Sequence, residues 1–176
     1  LFNLWKYPVY SWGLSLAVAF VVAAVYAAMA GKKRGIDPDN VIDVALFVCI
    51  ASIVGARLLY VVLNIRSYID YPISVFYMRD GGLSYFGGLG AGIGVGVLYC
   101  RRQKISIGKM ADLAGPAVSI GYAIARIGCL LNGCCYGRAS EVPWALAAGP
   151  GGMLRHPTQI YASISSVIIF FLLRAA

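Results

Sequence analysis

The residues with most chemical potential fall in one stretch, Ala125 to Arg138. Arg126 stands near the end of an apolar helical run, and Gly128, Cys129, Asn132, Gly133, Cys134, Cys135 and Gly137 follow it. An arginine at membrane depth is costly, so it faces a partner, a water-filled cavity or an anionic substrate. Its planar fork of donors matches a phosphate with two parallel bonds. Glycines beside it let the backbone approach a ligand closely. The structural alternative is an arginine snorkelling to the interface next to a polar turn. Arg57, with Tyr60 three residues on along the same helical face, offers a second cation. Two such cations on one side of a membrane suit an anionic phospholipid headgroup. Each could instead pair with Asp43, Asp80, Asp112 or backbone carbonyls.

His156 is the single histidine and opens the last apolar run. It could move protons near neutral pH, or simply start a helix before Pro157. Cys129, Cys134 and Cys135 cluster, whereas Cys49 and Cys100 lie in apolar runs and read as small hydrophobes. The cluster with His156 lacks the paired CxxC spacing of structural zinc sites, and a vicinal pair is a poor start for tetrahedral ligation, so no metal is expected. Cys129 and Cys134 could bridge if the intervening turn brings their Cα atoms within about 7 Å.

The elements that must position these residues are membrane spans. The 176 residues are 60% apolar and only 12% charged, with a mean hydropathy of +0.77, against about 25% charged in soluble domains. The apolar runs reach the roughly 20 residues needed to cross a bilayer, and there are too many for one signal sequence. The formal charge of +8 does not form a soluble basic face with interleaved aromatics, which argues against nucleic acid. Basic clusters flanking apolar runs read as topology signals and contacts to lipid headgroups.

The expected fold is all-α, a polytopic transmembrane helical bundle forming a single domain over residues 1–176. Five spans are predicted, at about 9–30, 41–63, 83–100, 110–131 and 157–173. An interfacial segment at 64–83 separates the second and third, and a polar loop at 132–156 the fourth and fifth. Asp37-Pro38 is a helix-start signal and Pro116 a kink signal. Gly88, Gly92 and Gly96, and likewise Gly90 and Gly94, recur every four residues, spacing that lets helices approach closely in lipid. Alternating spans put eight basic residues, including Lys32-Lys33-Arg34 and Arg101-Arg102, on one side and five on the other. The denser side is expected to be cytoplasmic, with the N-terminus and the 132–156 loop outside. The chain starts at Leu1 and stops at Ala176 straight after an apolar run, so it is expected to be part of a longer protein.

Five segments together resemble the bacterial prolipoprotein diacylglyceryl transferase family. Ala125 to Arg138 follows that family's G-R-x-G-N-x-x-N-G-E-x-x-G pattern in order and spacing. Gly81-Gly82-Leu83-Ser84-Tyr85-Phe86-Gly87-Gly88-Leu89 is similar to G-G-L-S-F-H-G-G-L. His156-Pro157-Thr158-Gln159-Ile160-Tyr161-Ala162 is similar to H-P-x-Q-L-Y-E, and Gly55 to Val61 and Asp112 to Pro116 also fit. The resemblance implies a multi-pass enzyme of the bacterial inner membrane that needs no cofactor. It would move a diacylglyceryl group from phosphatidylglycerol to the lipobox cysteine of a preprolipoprotein, with glycerol phosphate leaving. Its partners would be that lipid, the lipobox peptide and the bilayer.

By the same resemblance Arg126 handles the lipid phosphate, with Arg57, Gly87, Gly88, Asn132, Gly133, Gly137, Arg138 and Tyr161 around the substrate. Four polar family positions differ: Phe86 replaces a histidine, Cys129 an asparagine, Cys134 a glutamate and Ala162 a glutamate. His156 and Tyr85 remain as candidates for the catalytic proton chemistry. Two rival readings follow: a lipid-binding relative with altered catalysis, and a membrane thiol oxidoreductase using Cys129, Cys134 and Cys135.

Overall fold

Every apolar run of the sequence becomes a helix. In a computed structural model that describes residues 2–4, 7–9, 11–69, 72–76, 81–148 and 151–175, these are α1 (Ser11–Lys33), α2 (Pro38–Leu63), α4 (Tyr85–Arg102), α5 (Ile107–Leu131) and α6 (Thr158–Ala175). Four of them, α1, α2, α5 and α6, are long and apolar enough to cross a membrane. The helix at the expected third span, α4, carries six glycines and a closing Arg101-Arg102 pair, which dilute its hydropathy. The interfacial segment holds a short helix, α3 (Arg66–Ile69), and a 3-10 turn at Pro72–Phe76. Lys6, Asp70, Tyr71, Arg79, Asp80, Gly149 and Pro150, used in the sequence reading for charge and turns, lie outside the described residues.

Two small antiparallel hairpins fall where only irregular chain was expected. One pairs β1 (Phe2–Leu4) with β2 (Tyr7–Val9) and the other β3 (Leu146–Ala148) with β4 (Met153–Arg155). Three-residue strands are too short to show a period in sequence.

Helix ends obey local chemistry. Asp37 caps α2 by accepting from the Asp39 amide at 3.0 Å, with Pro38 in the first turn where its missing N–H costs nothing. At the end of α1 the Ile36 amide reaches back to the Gly31 carbonyl (3.0 Å) and the Gly35 amide to Lys32 (3.3 Å). The end of α4 repeats this pair of bonds from Ile105 to Cys100 and from Lys104 to Arg101, and the end of α5 from Cys134 to Cys129 and from Gly133 to Leu130. All three are Schellman turns, which require a left-handed residue one position beyond the cap.

The chain divides into two compact units. In the unit of residues 31–110, α2 and α4 pack backbone to backbone. A Cβ added at Gly87 would sit 2.3 Å from the Gly55 carbonyl oxygen, and one at Gly92 2.4 Å from Ser52 Oγ. Gly88 and Gly96 face the same partner helix, whereas Gly90 and Gly94 face open space. Only one of the two glycine rows is therefore a packing stripe. Tyr99 adds a polar tie, its hydroxyl lying 3.0 Å from Asn40 Oδ1 and 3.1 Å from Asp43 Oδ2.

In the unit of residues 1–30 and 111–176, α1, α5 and α6 pack together through small residues. Gly121 faces Ala19 and Ala23, and Gly128 lies against Ser15. Ser163 Oγ donates to the Ala123 carbonyl at 3.1 Å, and Tyr26 meets Phe170 edge to face with ring centroids 5.0 Å apart. Pro116 lies buried inside an unbroken α5.

Candidate functional site

The Schellman turn at the end of α5 determines where the chain goes after Arg126. Gly133 takes the left-handed position (φ +69°), a conformation that costs glycine nothing and other residues about 1–2 kcal/mol. The turn reverses the chain toward the start of α6, which then clamps it. Thr158 Oγ1 donates to the Cys135 carbonyl at 2.6 Å and Gln159 Nε2 to the Cys134 carbonyl at 2.5 Å. The Gly137 amide donates to the His156 carbonyl (2.9 Å) and the His156 amide to the Arg138 carbonyl (3.2 Å). Gly137 is sterically required here, because a Cβ would come within 2.8 Å of Thr158 and 3.0 Å of His156 Cβ. Two of the sequence blocks thus become one folded site.

Arg126, one turn before the end of α5, is half-buried. Its Nε donates to the Tyr122 hydroxyl at 2.7 Å, Nη2 reaches the same oxygen, and the guanidinium stacks 4.8 Å from the Tyr122 ring centroid. No carboxylate pairs with it among the described residues. It lines a cleft of about 120 Å³ with Ile127, Leu130, Gln159, Ile160, Ser163 and Ile164. Gln159 is almost completely buried (1% exposed), and its Oε1 accepts no hydrogen bond from the described residues. A buried acceptor without a donor is costly and rare. The cleft lining thus joins one cation to an apolar wall, while Gln159 Oε1 is shut off from solvent.

His156 lies outside that cleft's lining. Trp144 Nε1 donates to the Tyr161 hydroxyl at 2.6 Å, and that hydroxyl lies 3.1 Å from His156 Nδ1. Which of the two donates across that contact follows from the imidazole tautomer. Asn132 and Arg138 are exposed.

The three clustered thiols are free, as are Cys49 and Cys100. The Sγ atoms of Cys129, Cys134 and Cys135 all lie within 4.8 Å of one another, a convergence that linear spacing conceals. The Schellman turn brings Cys129 and Cys134 together, and Cys135 turns back toward them with a left-handed backbone (φ +65°). Cys134 Sγ donates to the Cys129 carbonyl at 3.5 Å, and Cys135 Sγ lies 3.6 Å from Cys134 Sγ. The hydrogen bond to Cys134, followed by partial burial, pushes the Cys135 thiol up to about 11.

The remaining sequence candidates belong to the other unit. Arg57 is buried (5% exposed) and bonded to backbone: Nε to the Val75 carbonyl at 2.8 Å, Nη2 to Ser74 at 2.9 Å, and Nη1 to Gly81 and Gly82 at 2.8 and 3.0 Å. Gly87 and Gly88 face α2. Tyr85 is exposed, its ring edge-on to Phe86 at 5.7 Å.

Sequence reasoning passed over Gln159, Tyr122 and Trp144. Tyr122 was discoverable, since four residues before Arg126 is the helical position that meets it. Gln159 stands inside a block already noticed. Nothing local marks Trp144.

Four helices long and apolar enough to cross a bilayer define a multi-pass helical membrane protein. Comparison with known proteins narrows the class. The family model described as prolipoprotein diacylglyceryl transferase matches residues 1–176, and the chain belongs to that enzyme family. A phosphatidylglycerol--prolipoprotein diacylglyceryl transferase of Clostridium tetani is 33% identical over 178 residues, covering 98% of this chain and 71% of its own length. One from Geobacter sulfurreducens is 35% identical, over 94% of this chain and 65% of its own. One from Clostridioides difficile is 32% identical, over 98% and 68%. This chain thus spans about two thirds of the length of the relatives it matches.

Proposed function

We propose that this chain carries the lipid-gripping part of a diacylglyceryl transferase. The enzyme takes phosphatidylglycerol as donor and the lipobox cysteine of a preprolipoprotein as acceptor, in the bacterial inner membrane, with the N-terminus and the 132–156 loop on the outer side. The observation that carries this reading is the Arg126 cleft. A guanidinium at membrane depth with a tyrosine hydroxyl as its partner retains donors for a phosphate. The apolar wall of Ile127, Leu130, Ile160 and Ile164 suits acyl chains. The names carried by the relatives support the substrate pair.

In the transfer the acceptor thiolate attacks the glyceryl carbon, and the C–O bond to phosphate breaks. Arg126 neutralises the charge gathering on the departing glycerol phosphate. The second reading is a relative that binds lipid without transferring it. It draws support from Phe86, exposed at a position where the family pattern has histidine. The deciding experiment measures transfer of labelled diacylglycerol from phosphatidylglycerol to a lipobox peptide by the full-length protein in proteoliposomes. Transfer that depends on Arg126 is expected. Tight phosphatidylglycerol binding with no turnover selects the second reading, and neither binding nor turnover overturns both.

A further inference from the structure

The thiol cluster sits at the end of the helix that carries Arg126, and the lipid-gripping site makes no use of it. Three cysteines with mutually facing sulfurs are uncommon without a reason, since packing alone asks only for small apolar side chains. The local backbone is arranged for the convergence. The Schellman turn pairs Cys129 with Cys134, and Cys135 holds a left-handed conformation that a non-glycine residue adopts only at a cost. The α6 clamps on the Cys134 and Cys135 carbonyls hold both residues in place.

From this geometry we infer that Cys129, Cys134 and Cys135 form a zinc site with three protein thiolates and one open position, and that the open position takes the acceptor thiol.

The donor set selects the ion class. Three soft thiolates with no carboxylate among them favour Zn²⁺ over hard cations such as Mg²⁺ or Ca²⁺. A tetrahedral Zn²⁺ with Zn–S bonds of about 2.3 Å places its sulfurs about 3.8 Å apart. The Cys134–Cys135 pair is already at 3.6 Å, and the widest separation, at most 4.8 Å, closes by roughly 1 Å through a side-chain adjustment. Binding releases three thiol protons to water and leaves a net charge of −1. Arg126, within electrostatic reach of Cys129 and Cys135, offsets that charge. Cys129 is buried, Cys134 half-buried and Cys135 exposed, so the cluster opens on the Cys135 side.

Three protein ligands with a vacant fourth position is the arrangement of working zinc sites rather than structural ones. A thiol that coordinates such an ion is deprotonated outright. The acceptor S–H would lose its proton to water on binding. Its sulfur would then form the new C–S bond to the glyceryl carbon, while the C–O electron pair leaves with glycerol phosphate. An ion here would thus replace the proton acceptor that Phe86 cannot provide. The acceptor half of this inference rests on the proposed transfer reaction; the metal half does not.

The test uses the full-length protein, reduced and stripped of metal in detergent, titrated with Co²⁺ as a spectroscopic substitute and then competed with Zn²⁺. One equivalent should bind with thiolate-to-cobalt charge transfer, and Zn²⁺ should displace it. Bound Zn²⁺ should shield three thiols from alkylation in the unmodified protein. Cys129→Ser, Cys134→Ser and Cys135→Ser should each weaken binding by more than about 100-fold, beyond what loss of a supporting contact costs. Cys49→Ser should change nothing. Absence of the charge-transfer band, or three thiols alkylated at equal rates with and without Zn²⁺, overturns the site. A cysteine-containing lipobox peptide should shift the cobalt ligand-field bands and its serine counterpart should not. Bound cobalt indifferent to both peptides overturns the acceptor role alone, and a shift without any lipid transfer separates this inference from the proposed reaction.

Discussion

The two arginines within apolar helices look alike in sequence and are treated in opposite ways by the fold. Arg57 is buried and directs its guanidinium at four backbone carbonyls of the 74–82 segment, so its donors are occupied in fastening a loop. Arg126 is half-buried, leans on one tyrosine hydroxyl and faces a cleft. A charge held by four carbonyls of its own chain serves structure. A charge matched in part and left at a cleft is prepared for something from outside. The difference lies in their surroundings, since residue type and helical setting are shared.

The sharpest challenge to this contrast is a pair of alanine substitutions read by two measurements. Arg126→Ala should lower lipid transfer by about 10²–10³-fold, the usual cost of removing one donor to a developing oxyanion, with the melting temperature little changed. Arg57→Ala should show the reverse emphasis. It strands buried carbonyls and should cost about 3 kcal/mol of stability, visible as a lower melting temperature and faster proteolysis within residues 72–82. Equal losses of stability from both substitutions would erase the distinction.

Gly82→Ala refines the structural half. A Cβ there would lie 2.8 Å from Arg57 Nη1 and 2.4 Å from the Tyr60 ring, at a backbone φ of +88°, so a loss of about 1–2 kcal/mol is expected. Thermal unfolding of the variant checks this. Tyr122→Phe refines the functional half. It removes the Arg126 acceptor and keeps the stacked ring, so KM for phosphatidylglycerol should change by about five-fold, on the scale of one net hydrogen bond, while kcat holds. A collapse of kcat as large as that of Arg126→Ala would make Tyr122 a reacting group instead of a support.

The spans were legible because a continuous apolar run is a property of the chain itself. The expected limits of 9–30, 41–63, 83–100, 110–131 and 157–173 correspond to helices at 11–33, 38–63, 85–102, 107–131 and 158–175. What α4 does was half legible: the sequence showed two glycine rows, but only packing reveals that Gly88, Gly92 and Gly96 meet α2 while Gly90 and Gly94 do not. The contrast between Arg57 and Arg126 was not legible, because it depends on carbonyls brought in from 17 to 25 residues away. Convergence of the three thiols was hidden for a different reason. Cys135 must adopt a backbone conformation that its residue type disfavours, and a pattern search assumes ordinary conformations. Gly151 and Gly152, both at positive φ, fall in the polar loop expected at 132–156, yet the short strands on either side of them left no mark.

Of the three helices that finish in the same turn, α1 and α5 place glycine at the left-handed position, while α4 places Lys104 there at φ 56°. Exchanging that lysine for glycine would relieve a strained residue at a site remote in sequence from both arginine-bearing blocks, with an expected gain of up to about 1 kcal/mol. For anyone trying to keep this protein intact outside its bilayer long enough to crystallise it, Lys104 is the first position to alter.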